Sequence, residues 1–177
     1  MNLLDFDHSK IYKYGDQGIN DYGWGCVYRN VQTLSAFNNT KVPTISEMQE
    51  KAGIDPSLSG TQLWIEPIDT RSFLPWKKTL ALHKGVEDVE KYLLRTKVED
   101  FDKIFKTKED TKTFLLECLR NNSRVLLDDS IKSYILTGIT DDDNPTYIYI
   151  DPHLSENNVQ TMSETNFFNH SLWMMLC

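Results

Sequence analysis

Long apolar runs are missing from this 177-residue chain. No stretch approaches the ~18 residues a helix needs to cross a bilayer, so no membrane span is expected. The start, Met1-Asn2-Leu3-Leu4-Asp5-Phe6-Asp7-His8, lacks both a basic segment and an apolar one, so no secretory leader is expected. Cysteine is scarce. Cys26, Cys118 and Cys177 form no Cys-x-x-Cys pair and are odd in number, which fits a reducing compartment, and the cytosol is the expected location. A basic surplus is also lacking. With 19 Lys and Arg against 26 Asp and Glu the net charge is -7, which argues against nucleic acid, whose recognition needs a clustered basic face. An acidic protein of this kind can steer a basic protein partner toward itself. Repeats and low-complexity tracts are absent as well.

What is present is an ordinary globular composition, 40% hydrophobic and 25% charged, on a chain long enough for one domain spanning 1–177 with a real core. The first twenty residues are polar with scattered aromatics and read as irregular chain. Val27, Val31 and Leu34 recur at i, i+4 and i+7, predicting a helix from Val27 to Phe37 with one buried face. Thr44-Ile45-Ser46-Glu47 has capping-box spacing and predicts a second helix to about Lys51. Pro67 suits the first turn of a short helix through Phe73, where its missing N–H costs nothing. Lys78–Leu82 reads as a strand, Val86, Val89 and Leu93 have helical spacing, and Thr111–Leu119 reads as a helix. The last third is β-rich: Arg124–Leu127, Tyr134–Ile139, Thr146–Asp151 and Leu172–Leu176. Between the second and third of these, Asp141-Asp142-Asp143-Asn144-Pro145 signals a hairpin turn. That aspartate run lacks the glycine and distal glutamate of a calcium loop, and no metal is expected. Helices followed by antiparallel strands predict an α+β fold with a helix packed against the sheet, the papain-like arrangement.

The chemistry concentrates in two places. Asp21-Tyr22-Gly23-Trp24-Gly25-Cys26-Val27-Tyr28-Arg29 puts a cysteine after a Gly-Trp-Gly turn, at the opening of the first helix. The unpaired N–H groups there favour a thiolate, so Cys26 is the candidate nucleophile at a partly exposed site. Asp151-Pro152-His153 supplies a base and its orienting carboxylate. If the extended strand persists through Pro152, positions 147, 149, 151 and 153 share a face while Ile148 and Ile150 enter the core. His153 would then take the thiol proton with Asp151 holding its ring. Cys118 and Cys177 read as inert buried cysteines, His8, His83 and His170 as surface residues, and Arg29 as the partner of a structural carboxylate.

Gly23-Trp24-Gly25-Cys26-Val27-Tyr28-Arg29 together with Asp151-Pro152-His153 resembles the cysteine peptidases specific for ubiquitin-fold modifier 1. Gln62-Leu63-Trp64-Ile65 and the terminal Phe167-Phe168-Asn169 extend the likeness. The resemblance implies a papain-like fold with no cofactor, and ubiquitin-fold modifier 1 and its protein conjugates as partners. It implies removal of whatever follows the modifier's C-terminal glycine, whether in the precursor or on a target lysine; a monomer is expected. It assigns an oxyanion-donor role to Tyr14, twelve residues before Cys26, which the residues alone do not separate from Tyr12. Trp24 and Trp64 are candidate aromatic walls for the glycine-ended tail, core packing being the equal alternative. Two readings stay open beside this one: an autophagin-like protease, since that family shares Gly-Trp-Gly-Cys and Asp-Pro-His, and a silent modifier-binding homologue. The sequence departs from the pattern where family glycines and a histidine give way to Asp128-Asp129-Ser130 and Tyr134. The segment from about 83 to 106 reads as an insertion.

Overall fold

The computed structural model describes residues 7–74, 76–82, 89–121, 123–140 and 142–177. Helix α1 (Cys26–Phe37) opens the regular structure, and α2 (Ile45–Ala52) follows after a loop. The capping box at α2 forms as the sequence predicts. The Thr44 hydroxyl accepts the Glu47 N–H at 3.1 Å, and the Glu47 carboxylate accepts the Thr44 N–H at 2.8 Å. Gly53 ends the helix in the left-handed region at φ 69°, a conformation a Cβ would disfavour. Helix α3 (Lys108–Arg120) starts three residues before its apolar stripe, because the Thr107 hydroxyl caps Asp110 and the first turn, Lys108-Glu109-Asp110, is polar.

Seven strands form one sheet in the order β2-β1-β7-β3-β4-β5-β6. They are β1 (Lys78–Leu82), β2 (Lys103–Phe105), β3 (Val125–Asp128), β4 (Ser133–Ile139), β5 (Thr146–Ile150), β6 (Val159–Ser163) and β7 (Leu172–Leu176). A short helix α4 (Glu164–Phe167) precedes β7. All pairings are antiparallel except β1–β2, which is parallel, so the sheet is mixed rather than wholly antiparallel. The two strands the sequence does not announce are edge strands. One is three residues long, and the other, Val159-Gln160-Thr161-Met162-Ser163, is half polar.

Both faces of the sheet are covered. Val27, Val31 and Leu34 of α1 pack with Leu126, Ile135, Ile150 and Leu176 on one face. Phe114, Leu115 and Leu119 of α3 pack with Leu127, Leu136, Tyr147, Trp173 and Met175 on the other. Tyr147 is therefore a core residue, stacked on Phe167 at 4.1 Å. The alternation of β5 is real, but it separates two cores rather than a core from solvent. Burial of α1 likewise exceeds one face, since every residue from Cys26 to Ser35 is buried. Neighbouring loops bond two of its buried polar side chains: Thr33 Oγ1 accepts the Tyr12 N–H at 2.8 Å, and Gln32 donates to the Pro43 carbonyl at 3.0 Å.

Three expectations need correction. The helical spacing of Val86, Val89 and Leu93 gives no α-helix over its described part, residues 89–93. Val86 lies outside the described residues, as does His83, and only a 3-10 turn forms at Glu90–Tyr92. Val89, Tyr92 and Leu93 instead cover Leu80, Leu172 and Met174, a small satellite core that needs apolar side chains but no helix. Cys118 of α3 and Cys177 after β7 are joined in a disulfide across 59 residues of sequence, so neither is an isolated inert thiol. An odd count of three rules out pairing them all, not pairing two. Finally, His170 is only partly exposed. Its Nδ1 meets Asp129 Oδ2 at 2.8 Å, and its ring lies 4.4 Å from that of Trp173. Among the described residues no helix is long and apolar enough to cross a membrane.

Candidate active site

The turn before α1 is held by one residue. The Asp21 carbonyl accepts the N–H groups of Trp24 and Gly25, at 3.2 and 2.9 Å, with Gly23 at φ +83° between them. The Asp21 side chain then folds back over Gly25 so closely that a Cβ there would lie 2.2 Å from Asp21 Oδ2. Only glycine fits at position 25 with the carboxylate where it is. That carboxylate is fully buried and bonds the equally buried Arg29 Nε at 2.6 Å, while its other oxygen accepts the Gly15 N–H at 2.8 Å. The remaining Arg29 donors reach Gln17, Gln32 and the Asp16 carbonyl. A buried pair with its hydrogen bonds filled in this way is a structural clamp, and removing one partner of such a pair costs about 3–5 kcal/mol. It ties the loop that carries Tyr14 to the helix that carries Cys26.

A second tie reaches the other end of the chain. The Tyr14 N–H donates to the Pro152 carbonyl at 3.0 Å, and the Tyr14 ring stands edge-on to His153, 4.9 Å between centroids. Strand β5 ends at Ile150, so the extended geometry does not continue through Pro152. Asp151 and His153 meet by a turn instead. Asp151 Oδ1 accepts the His153 backbone N–H at 2.9 Å and lies 2.5 Å from Nδ1 of the same residue. The proline still serves the pairing, because it fixes φ inside the turn that brings the two side chains together. The Asp151 N–H donates to the Asn158 carbonyl at 2.8 Å, anchoring that turn to the segment before β6. With Nδ1 engaged, Nε2 is the nitrogen left for proton transfer.

Cys26 has no exposed surface, contrary to the partly exposed site expected. Burial, with the nearby Asp128 carboxyl adding to it, pushes the thiol up to about 12. The N–H groups of Ser133 and Val27 and the Tyr14 hydroxyl act in the opposite direction by donating toward sulfur. The helix opening does favour a thiolate as the sequence suggests, but desolvation is the larger effect, and the resting side chain is a neutral thiol. Tyr14 Oη is itself buried, and the Cys26 sulfur and backbone N–H are the groups it meets. Burial and the adjacent sulfur both hold its hydroxyl well above the usual phenol range, so it keeps its proton. A buried donor held beside a nucleophile is what an oxyanion site needs at rest.

The two tryptophans part company. Trp24 is a core residue, edge-on to Tyr28 at 5.6 Å. Trp64 lines an open cavity of about 400 Å³ with Thr61, Tyr92, Leu93, Leu94 and Ser130. Buried Glu66 holds the chain at Leu94, one of the lining residues. Its carboxylate accepts the N–H groups of Leu94, Arg95 and Thr96 and the Thr96 hydroxyl, at 2.6 to 2.8 Å. The Tyr134 ring centroid is 6.1 Å from that of His153. Sequence reading missed Asp21 and Glu66 as organisers. The Asp21–Arg29 spacing of eight residues was the available hint for the first, and Glu66 carries none.

A family model described as peptidase family C78 matches residues 6–173. A probable Ufm1-specific protease of Oryza sativa subsp. japonica is 35% identical over 79 residues, 39% of this chain and 12% of the relative. Ufm1-specific protease 1 of Mus musculus is 37% identical over 65 residues, 33% of this chain and 30% of the relative. The chain thus aligns with less than a third of either relative. The crystal structure of UfSP from C. elegans superposes with a TM-score of 0.60 at 18% identity, covering 94% of this chain and 32% of that one. That likeness carries the fold, and the family model carries the assignment: the chain belongs to peptidase family C78.

Proposed function

We propose that this chain is a papain-like thiol peptidase that hydrolyses the bond after the C-terminal glycine of ubiquitin-fold modifier 1, both in its precursor and on target lysines. The observation that carries the chemistry is the convergence of Tyr14 on both Cys26 and the Asp151–His153 pair. The substrate rests on the names of the relatives, two of which are Ufm1-specific proteases.

In this reading Cys26 Sγ passes its proton to His153 Nε2 as it attacks the glycine carbonyl, so the neutral thiol at rest is no obstacle. The Cys26 N–H has no intrahelical acceptor, because it is the first residue of α1. It and the Tyr14 hydroxyl receive the oxyanion. His153 returns the proton to the leaving amine, and water then cleaves the thioester. Trp64 and the cavity beside it hold the tail that leads to the glycine.

The substrate is tested by incubating the pure chain with precursors from several ubiquitin-like families, autophagy modifiers included. Trimming of the ubiquitin-fold modifier 1 precursor alone is expected. Trimming of an autophagy precursor instead would transfer the assignment to that class. Capture of Cys26 by a modifier carrying a reactive C-terminus excludes a silent binder.

Tyr14→Phe deletes one hydroxyl and keeps the ring against His153. The expected loss is about 10²–10³ in kcat, or roughly 3–4 kcal/mol, with KM nearly unchanged. Steady-state kinetics on a trimmed precursor checks it. A defect confined to KM would remove Tyr14 from the oxyanion site and make Tyr12 the next position to test.

A further inference from the structure

Asp128 closes strand β3, and its environment does not suit an anion. It has no exposed surface. One carboxyl oxygen accepts the Ser130 N–H at 2.7 Å, while the other has no hydrogen-bond partner. The charged groups acting on it are acids: Asp129 in the following loop, itself bound to His170, and Glu66 before the 67–70 helix. Strand β7, paired with it on one side, is Leu-Trp-Met-Met-Leu and offers nothing titratable. Helix α3, packed against β3, contributes Leu115, Cys118 and Leu119 to the core holding Leu127, with Cys118 tied up in its disulfide. From α1 the facing titratable group is the Cys26 thiol. Among the described residues Asp128 makes no ion pair. A buried carboxylate in such a place would be left unpaired, at a cost of several kcal/mol.

A second unfilled group lies beside it. Ser133 is the cross-strand partner of Asp128, and its hydroxyl donates to the Leu127 carbonyl and accepts from Asn30 Nδ2, each at 3.0 Å. The other end of that amide, Asn30 Oδ1, is buried without a donor. Asn30 is one turn along α1 from Cys26, and the Ser133 backbone N–H points at the Cys26 sulfur. Two orphaned acceptors therefore flank one serine under the nucleophile. A proton on Asp128 removes the unpaired charge from this stretch.

We infer that Asp128 is a positioning residue held as a neutral carboxylic acid, which spares the buried site an unpaired charge and keeps a second anion away from the thiolate. Burial supports this, raising the Asp128 carboxyl well above its usual 3.8. The inference rests on Cys26 being the nucleophile, not on which modifier is cut.

Asp128→Asn supplies an uncharged donor of the same shape. Alkylation of Cys26 by iodoacetamide, followed across pH, needs no protein substrate and so stands apart from the substrate assignment. At about pH 7 the variant is expected to react within about twofold of the parent, because neither carries a charge at 128. As the pH rises through the raised Asp128 titration the variant should become the faster one, since the parent then gains a carboxylate that opposes the thiolate. A variant already tenfold faster at about pH 7, the gain from one pKa unit of thiolate, would mean that Asp128 is an anion and overturn the inference. Stability gives an independent reading. A raised native carboxyl binds a proton the unfolded chain has lost, so the parent loses stability as pH climbs above 3.8. The melting temperature of Asp128→Asn relative to the parent should therefore rise with pH over that range, and a constant difference contradicts the inference. Should the variant fail to fold, infrared spectra of the parent with carbon-13 aspartate decide. A protonated aspartyl carbonyl band must persist at about pH 7, and its absence sinks the idea.

Discussion

Cys26→Ala is expected to abolish hydrolysis while the protein stays folded. The change removes a sulfur and leaves the backbone N–H groups of α1 where they are, so the turn built on Asp21 and the Asp21–Arg29 clamp are untouched. Because the side chain is fully buried, the deletion leaves a small void, and a destabilisation of about 1 kcal/mol is expected in denaturant unfolding. Modifier affinity should persist, since in the proposed reading Trp64 and the cavity beside it hold the tail. No other group can take over: Cys118 and Cys177 are spent on each other. Turnover within tenfold of the parent would show the nucleophile to be misassigned. Loss of binding together with turnover would show that the sulfur also holds the site's shape.

The parts legible in the sequence were those fixed by local chemistry. The capping box at Thr44, the helix at 26–37 and the central strands follow from residues that are neighbours in the chain. Cys26, Asp151 and His153 stood out because a Gly-Trp-Gly turn before a helix and an Asp-Pro-His triplet are compact signals. How Asp151 reaches His153 was not legible. A period-two reading assumes the strand continues, whereas the carboxylate capping the His153 N–H ends it. The resting state of the thiol was out of reach for a similar reason. A helix opening is visible in the sequence, but the burial that outweighs it depends on strands 100 residues away. Long-range polar partners were the hardest to see. Glu66 binds residues 94–96, and Asn30 bonds Ser133 across 103 positions, with no periodicity to mark either pair. The weak helical spacing at 86–93 misled because apolar side chains over a sheet need the right faces rather than a helix.

Asp151→Asn separates a turn residue from a catalytic one, since the amide keeps the turn and loses the charge. An asparagine oxygen can still accept the His153 backbone N–H now bound at 2.9 Å, so the turn and its tie to Asn158 should persist. The melting temperature is expected within a few degrees of the parent, a change of about 1 kcal/mol or less. The ring contact is different. That oxygen now meets both the backbone N–H and Nδ1, and the second meeting fixes the proton on Nδ1 and leaves Nε2 as the base. An amide offers a neutral oxygen or, turned over, an N–H that demands the opposite tautomer, with Nε2 carrying the proton and unable to accept another. The imidazolium that forms as Cys26 is deprotonated also loses the adjacent negative charge. Loss of both should lower kcat by about 10²–10⁴, as when the orienting aspartate of a catalytic triad becomes asparagine. KM should change far less, because Asp151 acts on the proton and not on the bound tail. Steady-state kinetics with the modifier precursor, beside thermal unfolding of the same preparation, makes the test. If the variant matched the parent in kcat, Asp151 would be only the cap of a turn, and another group would have to orient His153. A collapse in melting temperature would leave the kinetics uninterpretable for this variant, and Asp151→Glu would then decide: recovery of stability with kcat still depressed returns the role to the placement of this one oxygen.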